Sequence, residues 1–174
     1  MIESIRSRIR EVPGFPQDGF LFYDITTVLQ EPALFRQSIE LMASAYDPGS
    51  VDVVCAMESR GFIFGAPIAL QLNAGFSPIR KLGKLPADKI TREYTLEYSS
   101  NTLEMHRDAV LPGQRVLLVD DLLATGGTVA ASLDMVRELR AQPVGVVVLV
   151  ELVALGGRER LEPYGVPVTS FIRY

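Results

Sequence analysis

The sequence predicts an α/β fold, with a mostly parallel central sheet flanked by helices. Three observations point there. The runs 51–57, 75–80, 115–119 and 143–150 are apolar almost throughout instead of alternating, as strands covered on both faces are. Segments with apolar residues at helical spacing lie between them, as crossovers between parallel strands require. The chain has 174 residues, 48% hydrophobic and 22% charged, so one core suffices to bury roughly two-thirds of the unfolded surface without disulfide staples. A single domain spanning 1–174 is expected.

Taken in order, Ile2, Ile5 and Ile9 sit at helical spacing, so residues 2–11 are expected as a helix. Pro13, Gly14, Pro16 and Gly19 force turns. Residues 20–28 read as a short extended segment. Residues 32–46 form an amphipathic pattern with Pro32 suited to a first helical turn. A buried strand at 51–57, a helix at 62–72 and a strand at 75–80 come next. Residues 81–100 are polar and read as a loop, with an extended piece at 94–98 that can pair with 103–106 as a hairpin. A strand at 115–119, a helix at 127–139, a strand at 143–150, a short helix at 156–163 and a last strand at 167–174 complete the pattern. Ligands of such sheets bind at the carboxyl ends of strands. The segments after Met57, Arg80, Val119 and Val150 are therefore the places to search.

Charge and cysteine narrow the function. The net charge of −4 argues against nucleic acid as a partner, which needs a basic face. Only three lysines occur, Lys81, Lys84 and Lys89, all within nine residues and flanked by Arg80 and Arg92. Such a local cluster on an acidic chain is expected to hold an anion. The lone Cys55 lies inside an apolar run and is expected as a buried strand residue. One cysteine forms no internal disulfide, which fits a reducing cytoplasm. Residues 1–10 lack the apolar stretch of a signal peptide, and no run reaches the ~20 apolar residues of a membrane span.

The strongest motif runs from Val116 to Thr128, VLLVDDLLATGGT. A hydrophobic strand ends in Asp120 and Asp121, and a loop of small residues then leads into a helix. Gly126 and Gly127 let the backbone approach a ligand with successive N–H groups turned inward, and Thr125 and Thr128 add hydroxyl donors. With the helix N-terminus behind it, such a loop cradles a phosphate without any lysine. Neither the Walker A pattern nor G-x-G-x-x-G is present. Two acids beside a phosphate make sense when the ligand also carries hydroxyls or Mg²⁺. A ribose 5-phosphate meets that description. The alternative is a plain strand-to-helix turn capped by Asp121 or Thr125.

The run 119–128 resembles the phosphoribosyl-pyrophosphate (PRPP) signature of the type I phosphoribosyltransferases, and its Leu-Leu-Ala-Thr form resembles the adenine-using branch. Four further segments resemble the same branch in the same order. In 58–67, Ser59 and Arg60 would meet the leaving pyrophosphate; in 80–86, Arg80, Lys81 and Lys84 would do so, partly across a dimer interface. The segment 94–98 resembles a mobile loop, spanning about 82–101, that closes with Tyr94 and Tyr98. Within it, Glu97 would be the acid/base group near the purine, with Glu104 as the rival carboxylate. In 20–25, Leu21, Phe22 and Tyr23 would contact adenine, within a small N-terminal base-binding hood formed mainly by residues 1–30. Related enzymes usually carry arginine at the position of Tyr23. Leu152 would cover the other face of the base.

Read with the resemblance, the 5-phosphate and ribose would lie on Asp120, Asp121, Ala124, Thr125, Gly126, Gly127 and Thr128. The implied reaction converts adenine and PRPP to AMP and pyrophosphate, a purine-salvage step, with Mg²⁺ carried by PRPP and no direct protein metal site. A homodimer in the cytoplasm is implied as well. A 6-oxopurine substrate is the alternative on the same fold. It is disfavoured because the enzymes of that type carry a lysine near the last strands, whereas this chain has none after Lys89. A PRPP-sensing regulator would need a DNA-reading module.

Overall fold

The structure is a computed structural model. It describes residues 1–96 and 99–174, with side chains throughout except at 95–100. The chain divides into two compact units, residues 1–41 and 42–174.

The first unit begins with α1 (Ile2–Arg6), followed by an antiparallel ribbon of β1 (Arg10–Pro13) and β2 (Leu21–Asp24), then α2 (Thr26–Leu29) and most of α3 (Pro32–Ala43). The expected helix over 2–11 is thus only half as long. Residues 10–13 instead pair with 21–24, Arg10 opposite Asp24 and Val12 opposite Phe22. Pro13 is tolerated because a two-stranded ribbon leaves its outer edge unbonded. Arg10 Nη2 donates to Asp24 Oδ2 at 2.7 Å, and Asp24 Oδ1 accepts from the Thr26 N–H at 2.9 Å. That carboxylate ends the strand and starts α2, which is why the extended segment expected over 20–28 stops at residue 24.

The second unit holds a seven-stranded sheet in the order β5-β6-β4-β3-β7-β8-β9. Its strands are β3 (Val53–Met57), β4 (Gly75–Lys81), β5 (Lys89–Leu96), β6 (Ser99–His106), β7 (Arg115–Leu123), β8 (Gln142–Glu151) and β9 (Val168–Arg173). The five strands from β4 to β9 pair in parallel, and the β5–β6 hairpin adds to the edge in antiparallel fashion. Helices α4 (Arg60–Gln71), α5 (Gly127–Glu138) and α6 (Gly157–Leu161) connect the strands. Every residue of β3 is buried, and Val146 to Val150 of β8 are fully so. The apolar runs therefore mark the middle of the sheet, as unbroken hydrophobicity demands.

The polar stretch expected as a loop is half strand: residues 89–96 belong to β5. Ile90 packs in the core beside Leu103 and Met105, while the other side chains of β5 that are described stay at least partly exposed. A strand with one wet face reads as polar, and that hid it.

The starts of β3 and β7 are tied by one ion pair. Asp52 Oδ2 accepts the Arg115 backbone N–H at 2.7 Å, and Asp52 Oδ1 accepts from Arg115 Nη2 at 2.7 Å. These bonds hold the Asp52 carboxyl down from 3.8 to about 2. Glycine contributes where elements meet: a Cβ on Gly65 of α4 would come within 2.5 Å of the Ala56 Cβ, so the helix backbone packs directly on that alanine side chain. Cys55 is fully buried, and burial pushes its thiol up to about 12.

Candidate active site

Register brings the carboxyl ends of β3, β4 and β7 together. Ala56 pairs with Val119, and Met57 pairs with Ile79. The residues after Met57 and Ile79 therefore lie beside Asp120 and Asp121. A cleft of about 310 Å³ opens there. Its walls include Glu58, Ser59, Arg60, Lys81, Tyr94, Asp120, Asp121, Ala124 and Thr128. A second hollow of about 140 Å³, bounded by Asp120 and residues 122–129, adjoins it at the loop.

The loop has the form its composition predicts. β7 continues through both aspartates to Leu123, and the chain turns at Gly126, which has φ 78° and caps α5. A side chain there would be strained, and its Cβ would also come within 2.8 Å of the Gly157 carbonyl oxygen. Gly127, Thr128 and Val129 form the first turn of α5, whose N–H groups have no intrahelical acceptor. Free N–H groups and a positive helix end make this an anion-binding geometry.

The two aspartates are not equivalent. Asp121 is 4% exposed and accepts a short hydrogen bond from Arg60 Nε. Asp120 Oδ1 accepts the Asp121 N–H at 2.9 Å. Burial pushes the Asp120 carboxyl well above the usual carboxylate range, and the Asp121 charge adds to that, with Arg60 opposing. Gly61, one residue after Arg60, presses on Asp120: a Cβ there would lie 2.9 Å from Asp120 Oδ1. The close approach of α4 to β7 thus fixes both carboxylates.

The cation segment is sorted by its partners. Glu58 Oε2 accepts from Arg80 Nε at 3.1 Å and from the Lys81 N–H at 3.1 Å. Burial alone would raise the Glu58 carboxyl, but these donors and the Lys84 charge hold it lower. Arg80 Nη1 also donates to the Lys84 carbonyl at 3.3 Å. Lys81 lines the cleft, and Lys84 is exposed beside it.

Two expectations change here. Lys89 does not serve an anion site: its Nζ donates to the Leu85 carbonyl at 2.6 Å and lies 3.6 Å from Glu104 Oε2. Glu104 is no free rival acid. It is fully buried and accepts N–H groups from Gly83 at 3.1 Å, Lys84 at 2.7 Å and, more closely, Leu85. Burial would raise its carboxyl, and those N–H groups together with Lys89 outweigh that and lower it. Its work is to hold the 83–85 turn. Polar composition alone does not separate a turn anchor from a catalytic acid.

The other expected residues that are described come from different elements. Leu21, Phe22 and Tyr23 lie on β2 in the first unit, with Leu21 exposed and Phe15 edge-on to Phe22 at 5.1 Å. Leu152 comes directly after β8 and donates its N–H to the Leu123 carbonyl at 2.9 Å. Tyr94 reaches the cleft and the N-terminus of α5, 3.1 Å from where a Gly127 Cβ would stand. Glu97 and Tyr98 lie outside the described residues.

No group of three or more His, Cys, Asp or Glu side chains able to hold a metal alone occurs among the described residues. Asp120 and Asp121 nevertheless offer carboxylate oxygen, the donor type that Mg²⁺ takes. These oxygens fit a Mg²⁺ that would be carried by a polyanionic substrate and met through its water shell, with no direct protein ligand.

Known proteins share this sequence and this fold. A model of the phosphoribosyl transferase domain matches residues 24–172. The adenine phosphoribosyltransferase of Halothermothrix orenii is 49% identical over 162 residues, covering 93% of this chain and 95% of that protein. A crystal structure of adenine phosphoribosyltransferase from Thermoanaerobacter pseudethanolicus superposes with a TM-score of 0.96 at 48% identity, covering all of both chains. The Saccharomyces cerevisiae enzyme, crystallised with an imino-altritol 1,6-bisphosphate and adenine, matches at a TM-score of 0.90 and 34% identity, over 98% of this chain and 97% of that one.

Proposed function

The chain belongs to the phosphoribosyltransferase family, among its adenine-specific members, and from that premise we propose that it transfers the 5-phosphoribosyl group of PRPP to adenine, yielding AMP and pyrophosphate in purine salvage. One observation carries this most: a phosphate-type loop and a carboxylate pair share one cleft with Arg60 and Lys81. A phosphorylated sugar bearing hydroxyls and a second anionic group matches that pattern of donors and acceptors.

The 5-phosphate takes the N–H groups and hydroxyls of Ala124, Thr125, Gly126, Gly127 and Thr128. Asp120 and Asp121 accept from the ribose hydroxyls. Ser59, Arg60, Arg80, Lys81 and Lys84 face the pyrophosphate, where planar guanidinium groups suit phosphate oxygens. As the bond to pyrophosphate breaks, charge grows on its oxygens and these cations stabilise it. Mg²⁺ travelling with PRPP supplies further charge neutralisation. The anomeric carbon becomes cation-like, which neighbouring carboxylates favour. By the resemblance, Leu21, Phe22 and Tyr23 would contact adenine, with main-chain groups reading its edge, so Tyr23 in place of arginine would keep the backbone contact; the resemblance assigns Leu152 to a face of the base as well. Adenine N9 attacks and loses its proton to Glu97, and the segment of about 82–101 that carries Tyr94 and Tyr98, much of it the β5–β6 hairpin, closes and keeps water from PRPP.

The N-terminal residues 1–30 are the base-binding hood of a single phosphoribosyltransferase domain. A homodimer is supported by apolar side chains left exposed on α4 and β4, Ile63, Leu70 and Phe76. A cytoplasmic setting is supported by the single buried thiol, and no described helix is long and apolar enough to cross a membrane. Glu97→Gln, measured by AMP formation from adenine, PRPP and Mg²⁺, is expected to lower kcat about 10²-fold, as loss of a general base does. An unchanged rate would remove Glu97 from that role.

A further inference from the structure

Behind the loop lies a buried carboxylate that transfer chemistry does not use. Glu151 ends β8 and is 2% exposed. It accepts from Arg158 Nε at 2.9 Å, from Arg158 Nη2 at 2.6 Å and, in a short bond, from the Ser170 hydroxyl; Arg173 Nε lies 3.4 Å away. The fork of Arg158 is filled further, since Nη1 donates to the Val168 carbonyl at 2.7 Å and Nη2 to the Ser170 hydroxyl at 3.1 Å. Arg158 is thereby locked to both β8 and β9.

Arg158 in turn locks its neighbour, Gly157. The backbone of Gly157 touches the underside of the loop with no side chain between. A Cβ on Gly157 would fall 2.2 Å from the Ala124 carbonyl oxygen and 3.0 Å from Leu123 Cγ. The contact is mutual, because a Cβ on Gly126 would lie 2.8 Å from the Gly157 carbonyl oxygen and 3.2 Å from its Cα. The other end of the segment is pinned as well, where the Leu152 N–H donates to the Leu123 carbonyl at 2.9 Å. Residues 152–157 therefore form a shelf that meets the loop at Leu123, Ala124 and Gly126 and is fastened by Glu151 and Arg158.

We propose that Glu151 and Arg158 are positioning residues for the 5-phosphate, acting through the Gly157 shelf on the Ala124–Gly126 turn; this rests on the assignment of that turn to the 5-phosphate. An anion cradle of backbone N–H groups works only while those groups converge, and a misplacement of ~1 Å costs about 10²-fold in a preorganised site. The loop's own side chains are too small to fix it, so the fixing comes from beneath. A lysine at 158 keeps the charge and loses the planar fork, and a glutamine at 151 keeps the shape and loses the charge.

The test uses the full-length protein, with Glu151→Gln and Arg158→Lys made separately. Ribose 5-phosphate binding is measured by calorimetry, KM for PRPP and for adenine by initial rates, and folding by thermal melting. Expected is a rise of about tenfold in the ribose 5-phosphate Kd and in KM for PRPP, with KM for adenine changed less than about threefold. Should Glu151→Gln fail to fold, Arg158→Lys decides alone. Variants that melt earlier but bind ribose 5-phosphate like the wild type would show a stabilising pair only and overturn the proposal. A wild-type protein that forms AMP while the variants lose adenine and PRPP affinity equally would overturn it too. A wild type that binds no ribose 5-phosphate would instead fail the assignment of the loop itself, and the proposal with it.

Discussion

Asp120 carries a cost that its neighbours explain. It stands beside Asp121, against Gly61 and largely out of water, so its ionised form is disfavoured in the folded chain. A carboxyl raised on folding destabilises the native state as pH climbs past the unfolded value, because the unfolded chain then ionises freely. Asp120→Asn is therefore expected to raise Tm at pH 7 while cutting kcat/KM by about ten- to a hundredfold, the worth of hydrogen bonds to a charged group. Thermal melting beside initial rates checks both signs. A variant with lower Tm and full activity would mean that the site does not hold Asp120 under this strain. The residues named from sequence at this scale were those whose chemistry is visible in their type: paired acids, small loop residues, an arginine after a strand. Glu104, Glu151 and Arg158 stayed hidden as anchors because their partners are backbone N–H groups or side chains on other elements, seven or more residues away, and no local pattern marks them.

At the scale of elements, two devices keep the loop end of the sheet in order. The Gly126 turn needs a left-handed residue with no side chain facing Gly157. Gly126→Ala is expected to raise KM for PRPP at least about tenfold through loop displacement, with adenine affinity little changed. Competition binding with ribose 5-phosphate and adenine separates the two. The opposite ends of β3 and β7 are joined by Asp52 and Arg115. A carboxyl lowered on folding stabilises above its unfolded value and loses that contribution as pH falls through its folded one. With Asp52 at about 2 against 3.8, the Tm gap between wild type and Asp52→Asn is expected to be constant above pH ~5 and to close between pH ~4 and pH ~2. A gap that persists at pH ~2 would exclude this linkage. The parallel core strands were legible because they are apolar throughout. The β1 strand was not legible and the β5–β6 hairpin only in part, its register falling at Tyr94 opposite Asn101 instead of 94–98 against 103–106, since each has a wet face or a proline and owes its form to pairing with the next strand.

For the whole molecule, net charge and function run in opposite directions. A chain of net charge −4 concentrates its lysines at 81–89, and the structure divides them by task. Lys81 lines the cleft, Lys84 stands exposed beside it, and Lys89 is spent on Glu104. The loop proposed for the 5-phosphate contains none, and offers backbone N–H groups and the start of α5 instead. The absence of lysine after position 89 matters equally, because the exocyclic amine of adenine asks for acceptors where a 6-oxopurine asks for a donor. Base choice is therefore where the proposed transferase is most exposed to contradiction. The deciding measurement is the initial rate of pyrophosphate release from PRPP and Mg²⁺, taken side by side with adenine and with hypoxanthine at equal concentration. A preference for adenine of about 10²-fold or more is predicted, as sites built around one hydrogen-bond pattern give. Equal rates with both bases, or a faster rate with hypoxanthine, would contradict an adenine enzyme.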